Sequence, residues 1–191
     1  TNSDVAAVDS NYLYDRPPST RDVLSTSLAP LQLRARASAD GRTIIGLIDT
    51  PVQKLDGALN DFLLPSVSVV GDPAGSPEAP THGTAMAETI LRGLEATAGS
   101  SSTAKIQPYD VYGQSGSTTT YDVATAVFKA VNDGGATILN LSLGSDGDSP
   151  FLHDLLQQAS KQGVLVFAAA GNTPTTAPTY PAAYPEVIAV T

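Results

Sequence analysis

Three residues of this chain have the types, order and settings that acid–base chemistry at a carbonyl needs. Asp49 ends the apolar run Ile44-Ile45-Gly46-Leu47-Ile48, His82 opens Thr81-His82-Gly83-Thr84-Ala85-Met86-Ala87, and Asn172 closes Val166-Phe167-Ala168-Ala169-Ala170-Gly171-Asn172. A carboxylate at the end of a buried strand is costly unless hydrogen-bonded. One that accepts from an imidazole N–H fixes the tautomer and supports the imidazolium that forms. Asp49 also fits a turn or N-cap aspartate ahead of Pro51. The other histidine, His153, falls in the helical stretch Pro150–Gln162 and reads as an ordinary half-buried side chain. His82 has small neighbours that admit a reacting group, which makes it the better candidate base. Asn172 can donate its side-chain N–H to a developing oxyanion; a Gly-Asn turn after a strand is the alternative.

Binding residues are read from segments that expose backbone. Ser142, Leu143 and Gly144 end a strand through small residues, and either wall a side-chain pocket or simply end the strand. Ser115, Gly116 and Ser117 sit in a loop whose backbone an extended peptide could join as an added strand; a plain surface loop is the other reading. Ala170 and Gly171 let the backbone ahead of Asn172 approach a substrate.

The elements that must position these residues alternate. Strands are expected at Thr43–Ile48, Val67–Val70, Lys105–Tyr112, Thr137–Ser142, Val164–Ala169 and Val187–Val190. Helices are expected at His82–Ala98, Tyr121–Asn132 and Pro150–Gln162, with one or two short ones between Thr20 and about Ala37. Met86, Ile90, Leu91 and Leu94 share one helix face, and Val123, Val127, Phe128 and Val131 another. Repeated strand–helix–strand units predict an α/β fold: a three-layer, mostly parallel sheet with helices on both faces. In such a sheet, functional groups collect beyond the carboxyl ends of the strands, where Asp49, Tyr112–Ser117, Ser142–Gly144 and Gly171–Asn172 all fall.

The 191 residues suit one domain, with 41% apolar and 15% charged side chains. A net charge of −9 with no basic run argues against nucleic acid and anionic membrane as partners. No cysteine is present, so disulfides and thiolate metal sites are excluded. No apolar run is long enough to cross a bilayer.

Together these segments resemble the subtilisin-like serine peptidases from roughly Leu28 to Thr191. Thr43–Thr50 is similar to the family's strand ending in Asp-Thr-Gly, and Thr81-His82-Gly83-Thr84 to its His-Gly-Thr box. Ile138–Gly144 resembles its Ser-Leu-Gly substrate strand, Gly163–Asn172 the strand into the oxyanion Asn, and Tyr180–Val190 its Tyr-Pro-Ala-x-Tyr-Pro segment. The last match implies a cis peptide before Pro181. The resemblance implies a serine endopeptidase acting on polypeptides, with Asp49 and His82 as two members of a triad and Asn172 as oxyanion donor. It also implies a secreted or extracytoplasmic location and structural calcium as an optional cofactor. Asp56, Asp61 and Asp72 show no ligand spacing, so no metal residue is assigned.

The family's nucleophile box is expected beyond Thr191, so the domain plan is a propeptide-tail-like or linker segment at 1–18 and a partial catalytic domain at 19–191. Val5–Tyr12 resembles the end of the family's inhibitory propeptide. Gly83-Thr84-Ala85-Met86-Ala87 mimics the Gly-Thr-Ser-Met-Ala nucleophile box with Ala for Ser, but its His prefix and place identify the His box. Pro51, Ala85 and Glu88 depart from the family pattern and motivate an alternative, a non-catalytic peptidase-like binding or scaffold domain. A nucleotide-binding reading is disfavoured because no Gly-rich turn follows Asp49. A sheet lacking its serine-bearing helix exposes an apolar face. The chain is therefore expected to pair with the C-terminal part of its own domain, self-associate or repack; sedimentation as a compact monomer with a fully buried sheet would contradict this.

Overall fold

Apolar side chains on both faces of Ile44–Asp49 require a strand covered from both sides, and this strand, β3, is buried from its second residue to its last. The computed structural model describes residues 9–19, 31–36, 43–55, 57–71, 80–172 and 176–191. Among them lie the other strands β1 (Leu13–Asp15), β2 (Arg34–Ala35), β4 (Val67–Ser68), β5 (Ser101–Ser102), β6 (Lys105–Asp110), β7 (Ser117–Thr119), β8 (Ile138–Leu141), β9 (Leu165–Ala169) and β10 (Val187–Val190). The helices are α1 (His82–Ala98), α2 (Thr120–Asn132) and α3 (Pro150–Lys161), with a 3-10 turn at Gly57–Phe62.

Six strands form the central sheet in the order β10-β9-β8-β3-β6-β4, every pairing parallel. Ile44↔Lys105 to Asp49↔Asp110 sets β3 against β6, and Ile45↔Ile138 to Ile48↔Leu141 sets it against β8. The carboxyl ends of β3, β6, β8 and β9 therefore share one edge. Two small ribbons complete the described pairings, β1 antiparallel to β7 and β2 parallel to β5.

Period-two alternation sorts β3 between the two helical layers. Ile45 and Leu47 join the cluster of Phe62, Leu91 and Ile106 on the α1 side. Ile48 joins Val127 and Ala130 of α2 and Leu152 and Leu156 of α3 on the other. Gly46 lies on that second face because a Cβ there would come within 3.0 Å of Leu139 Cδ2 and 3.1 Å of Ala130 Cβ. The same alternation puts Asp49 on the α1 face, where His82 begins.

The main differences from the sequence expectations have local causes. Residues 31–36 contain β2, not helix, because Arg34 N and Arg36 N bond Ser100 O and Ser102 O; the remainder of the helix expected over 20–37 lies outside the described residues. Strand β6 stops at Asp110, whose side chain takes the Tyr112 and Gly113 amides. Met86, Ile90, Leu91 and Leu94 do share the α1 core face. Phe128 does not join Val123 and Val127 but is exposed, as are Leu165 on β9 and Ile188 and Val190 on β10. Of Val5–Tyr12, residues 5–8 lie outside the described residues, and the strand that follows begins at Leu13.

Helix α1 meets β3 at unusually short range. A Cβ on Gly83 would stand 2.3 Å from the Thr50 carbonyl oxygen, so only glycine allows this approach. Thr50 Oγ1 accepts from Gly83 N at 2.9 Å and fastens the contact. Gly83→Ala is expected to lose about 1–3 kcal/mol of stability through overpacking against backbone, read from urea unfolding; an unchanged midpoint would disprove the close approach.

Four tyrosines set an alkaline limit. Burial pushes Tyr109 up to about 12 and raises Tyr14, Tyr112 and Tyr184 as well. A tyrosine that ionises near 10 when unfolded, but later when folded, contributes stability present below about pH 10 and lost as pH rises toward the folded value. The urea midpoint is expected to fall above about pH 10, in step with tyrosinate absorbance; a flat midpoint up to about pH 12 would contradict it.

Candidate active site

Asp49 is 1% exposed at the mouth of the sheet. Its Oδ1 accepts from Thr50 N at 2.6 Å, and both carboxylate oxygens stand 2.9 Å from His82 Nδ1. A ring nitrogen facing two carboxylate oxygens must carry the proton, since a lone pair there would be repelled. Nδ1–H therefore donates to Asp49, and Nε2 is left as the acceptor. Nε2 makes no hydrogen bond with any described residue, and the His82 side chain keeps 17% of its surface. The pair is thus an oriented base with an open lone pair.

Threonines fix where that base sits. Thr81 is the N-cap of α1, its Oγ1 accepting from Thr84 N at 3.3 Å. The same hydroxyl donates to Pro51 O and lies 2.7 Å from Thr84 Oγ1. Thr84 Oγ1 accepts from Gln53 N at 2.9 Å, and Gln53 Oε1 accepts from Thr81 N at 3.2 Å. The first turn of α1 is laced to the segment after β3, which fixes the backbone of His82 above Asp49. Sequence reasoning quoted Thr50, Thr81 and Thr84 only as parts of motifs and missed this work; the Thr-x-x-Thr spacing at a helix start was the available signal. Ala85 is buried and Glu88 half-buried on α1, and Pro51 offers its carbonyl to Thr81.

A second buried carboxylate lies beside the first. Asp110 is the register partner of Asp49 and points to the same face. Its Oδ1 accepts from Tyr112 N and Gly113 N, each at 2.9 Å, while Oδ2 is buried without a partner. That Asx turn launches the loop carrying Ser115, Gly116 and Ser117. The sequence reading had not singled out Asp110, although Asp-x-x-Gly after a strand is a turn signal.

The edge expected to accept an added peptide strand already holds one. Leu13↔Thr119, Tyr14↔Thr118 and Asp15↔Ser117 pair β1 with β7. Arg16 N donates to Gly116 O at 2.8 Å, and Thr120 N to Tyr12 O at 2.9 Å. Tyr14 has no exposed surface and lies in the buried cluster with Tyr112, Val123, Leu143 and Leu152. Its hydroxyl makes no hydrogen bond to a described residue; Thr120 and Ser145 partly offset the upward push of burial. Upstream, Asp9 Oδ2 accepts from Ser149 Oγ at 2.6 Å and Phe151 N at 3.1 Å at the start of α3, which holds its carboxyl below the usual range. The sequence reading took Tyr14 and Arg16 only as parts of the linker or propeptide-tail-like segment at 1–18, and gave neither a role of its own.

The remaining candidates lie along the same edge. Ser142 Oγ accepts from Asn140 Nδ2 at 2.7 Å, Leu143 is buried, and a Cβ on Gly144 would meet Thr179 Cγ2 at 2.5 Å. Just beyond, Ser145 and Tyr180 exchange backbone bonds of 2.9 and 2.8 Å, and the Tyr180–Pro181 peptide is cis. Ala170 N donates to Val190 O, and Gly171 has φ +96°. Asn172 is exposed beyond β9 and has no hydrogen bond to a described residue. With β8 between β9 and β3, it follows a strand about 10 Å from that of Asp49. Asp49 and His82 are in contact; Asn172 makes no hydrogen bond to either.

Among the described residues, no three His, Asp or Glu side chains converge in a way that could hold a metal ion. Asp61 is exposed, and Asp56 and Asp72 lie outside the described residues. No described helix is long and apolar enough to cross a membrane.

Comparison with known proteins finds relatives over much of the chain. Thermitase of Thermoactinomyces vulgaris is 33% identical over 149 residues, covering 76% of this chain and 53% of thermitase. A thermophilic serine proteinase of Bacillus sp. (strain AK1) is 32% identical over 149 residues, covering 76% of this chain and 37% of that protein. The chain thus spans about half or less of the curated relatives it matches. In fold it is similar to a point mutant of the protease domain of PatA, with TM-score 0.63 and 23% identity over 77% of this chain and 56% of that one. The family model described as the subtilase family matches residues 40–191, which span the strand ending in Asp49, the His82 helix and the edge that gathers them. This chain belongs to the subtilase family.

Proposed function

We propose that this chain supplies the acid–base pair and most of the peptide-binding edge of a subtilisin-like serine endopeptidase. The observation that carries the reading is the Asp49–His82 contact, with Nδ1–H directed at both carboxylate oxygens and Nε2 free. In the proposed reaction, Nε2 removes the hydroxyl proton of a serine as its oxygen attacks the scissile carbonyl. Asp49 holds the ring and faces the imidazolium, and His82 then returns the proton to the leaving amine. Asn172 is assigned as the side-chain donor to the oxyanion, beside a backbone N–H. Ser142, Leu143 and Gly144 would flank the peptide on one side and Ser115, Gly116 and Ser117 on the other, with Ala170 and Gly171 behind its carbonyl.

The serine itself is proposed to come from the C-terminal part of the domain, outside these 191 residues. The open Nε2 and the exposed Leu165, Ile188 and Val190 support that reading. Residues 19–191 would then be a partial catalytic domain, with 1–18 a propeptide-tail-like segment. The filling of the β7 edge by β1 supports the latter. A secreted or extracytoplasmic location, a polypeptide substrate and optional structural calcium enter the proposal through family membership.

Activity is to be measured on the longest native form of the protein with a fluorogenic extended peptide. His82→Ala and Asp49→Asn are each expected to lower kcat about 10⁴-fold or more. Asn172→Ala is expected to cost about 10²–10³, mostly in kcat. Retention of full turnover by His82→Ala would end the peptidase reading. A nucleophile found substituted in that longer form would favour the binding or scaffold alternative.

A further inference from the structure

Two carbonyl groups of the 113–116 loop lack a backbone partner and are satisfied by one side chain. Arg16 Nη1 donates to Gly113 O at 2.8 Å and to Ser115 O at 3.1 Å, and no other described residue bonds either oxygen. The guanidinium carbon stands 5.8 Å from the centre of the Tyr112 ring, within cation–π range. The Tyr112 hydroxyl donates to Asp15 O at 3.1 Å, so one residue grips both the backbone and the cation of the docked strand.

The loop is built to present these oxygens. Asp110 consumes the Tyr112 and Gly113 amides, Ser115 N bonds Tyr112 O at 2.8 Å, and Gly113 adopts φ +53°. With the inward N–H groups committed, the Gly113 and Ser115 carbonyls are left directed at the groove. Their partial negative charges lie in a chain of net charge −9, which suits a cation.

We propose that this loop is a guanidinium seat that makes the groove selective for extended peptides carrying an aromatic residue and, two positions later, an arginine. The proposal rests on reading the β7 edge as the peptide-binding groove. The spacing follows from strand geometry: residues i and i+2 lie on one face about 7 Å apart, so the buried pocket of Tyr14 and the seat of Arg16 act as a two-point ruler. Arginine fits better than lysine because a planar guanidinium can bond both carbonyls while lying over a ring. In the structure the ruler is read by the chain's own strand, in the arrangement expected for any peptide entering in trans.

The test uses the full 191-residue chain carrying Tyr14→Asp, which evicts the resident strand. A fluorescein-labelled peptide spanning Asp9–Pro18 is added in trans and followed by polarisation, alongside the same peptide with Arg16→Ala or Arg16→Lys. The Arg16→Ala peptide is expected to bind about ten- to a hundredfold more weakly, as loss of charge-assisted hydrogen bonds implies, with the Arg16→Lys peptide between. Equal affinity of all three would overturn the seat and leave the groove intact. Failure of every peptide to bind, with the Thr118 and Thr120 amides that face β1 exchanging freely, would overturn the groove reading itself. Should Tyr14→Asp not fold, hydrogen exchange in the otherwise unmodified chain decides. There Arg16→Ala is expected to speed exchange of the Tyr14 and Arg16 amides several-fold and Arg16→Lys less; unchanged exchange refutes the proposal.

Discussion

A carboxylate at the end of a strand buried on both faces must find a donor, and in this chain the donor is the Nδ1–H of His82. Much of the surrounding structure follows from making that bond possible. Strand alternation puts Asp49 on the α1 side, so the helix has to start directly above it. The start can come close enough only because Gly83 has no side chain to strike Thr50. The threonine lacing from Thr50 to Gln53 and Thr81 to Thr84 then fixes the helix start from which the ring projects.

The groove shows the complementary economy. Its β7 edge has unpaired backbone groups that would invite any extended chain, and β1 satisfies them from within the same molecule. Asp9 at the start of α3, Tyr14 in the core and Arg16 over the 113–116 loop distribute the attachment over three chemistries: carboxylate to helix terminus, apolar burial, and cation to carbonyl. The two aspartates at the ends of β3 and β6 divide the labour. Asp49 orients the imidazole, and the Asp110 turn shapes the loop that carries Ser115, Gly116 and Ser117.

Much of the frame was legible in the residues. The apolar runs marked the buried parallel strands, and the 3.6-residue pattern at Met86, Ile90, Leu91 and Leu94 marked the core face of α1. Asp49 and His82 could be picked out because a lone acid after such a run and a histidine amid small residues are both unusual settings. Short pairings were illegible: β1, β2, β5 and β7 each have two or three residues, too few to show a period. Phe128 misled because an apolar side chain on a helix flank carries no sign of whether a neighbour covers it.

By itself the sequence determined an α/β chain of parallel strands, the order of its acid, base and amide, and its kinship with the subtilases, since these depend on residue type, local period and order. Tertiary structure decided which of those groups meet: Asp49 and His82 do, while Asn172 follows a strand two places away. It also decided that the β7 edge is filled by β1, with Tyr14 and Arg16 about a hundred positions from the residues they meet. Such contacts are made by the path of the folded backbone, and nothing in the local chemistry of residues 13–16 announces the partner that loop closure brings to them.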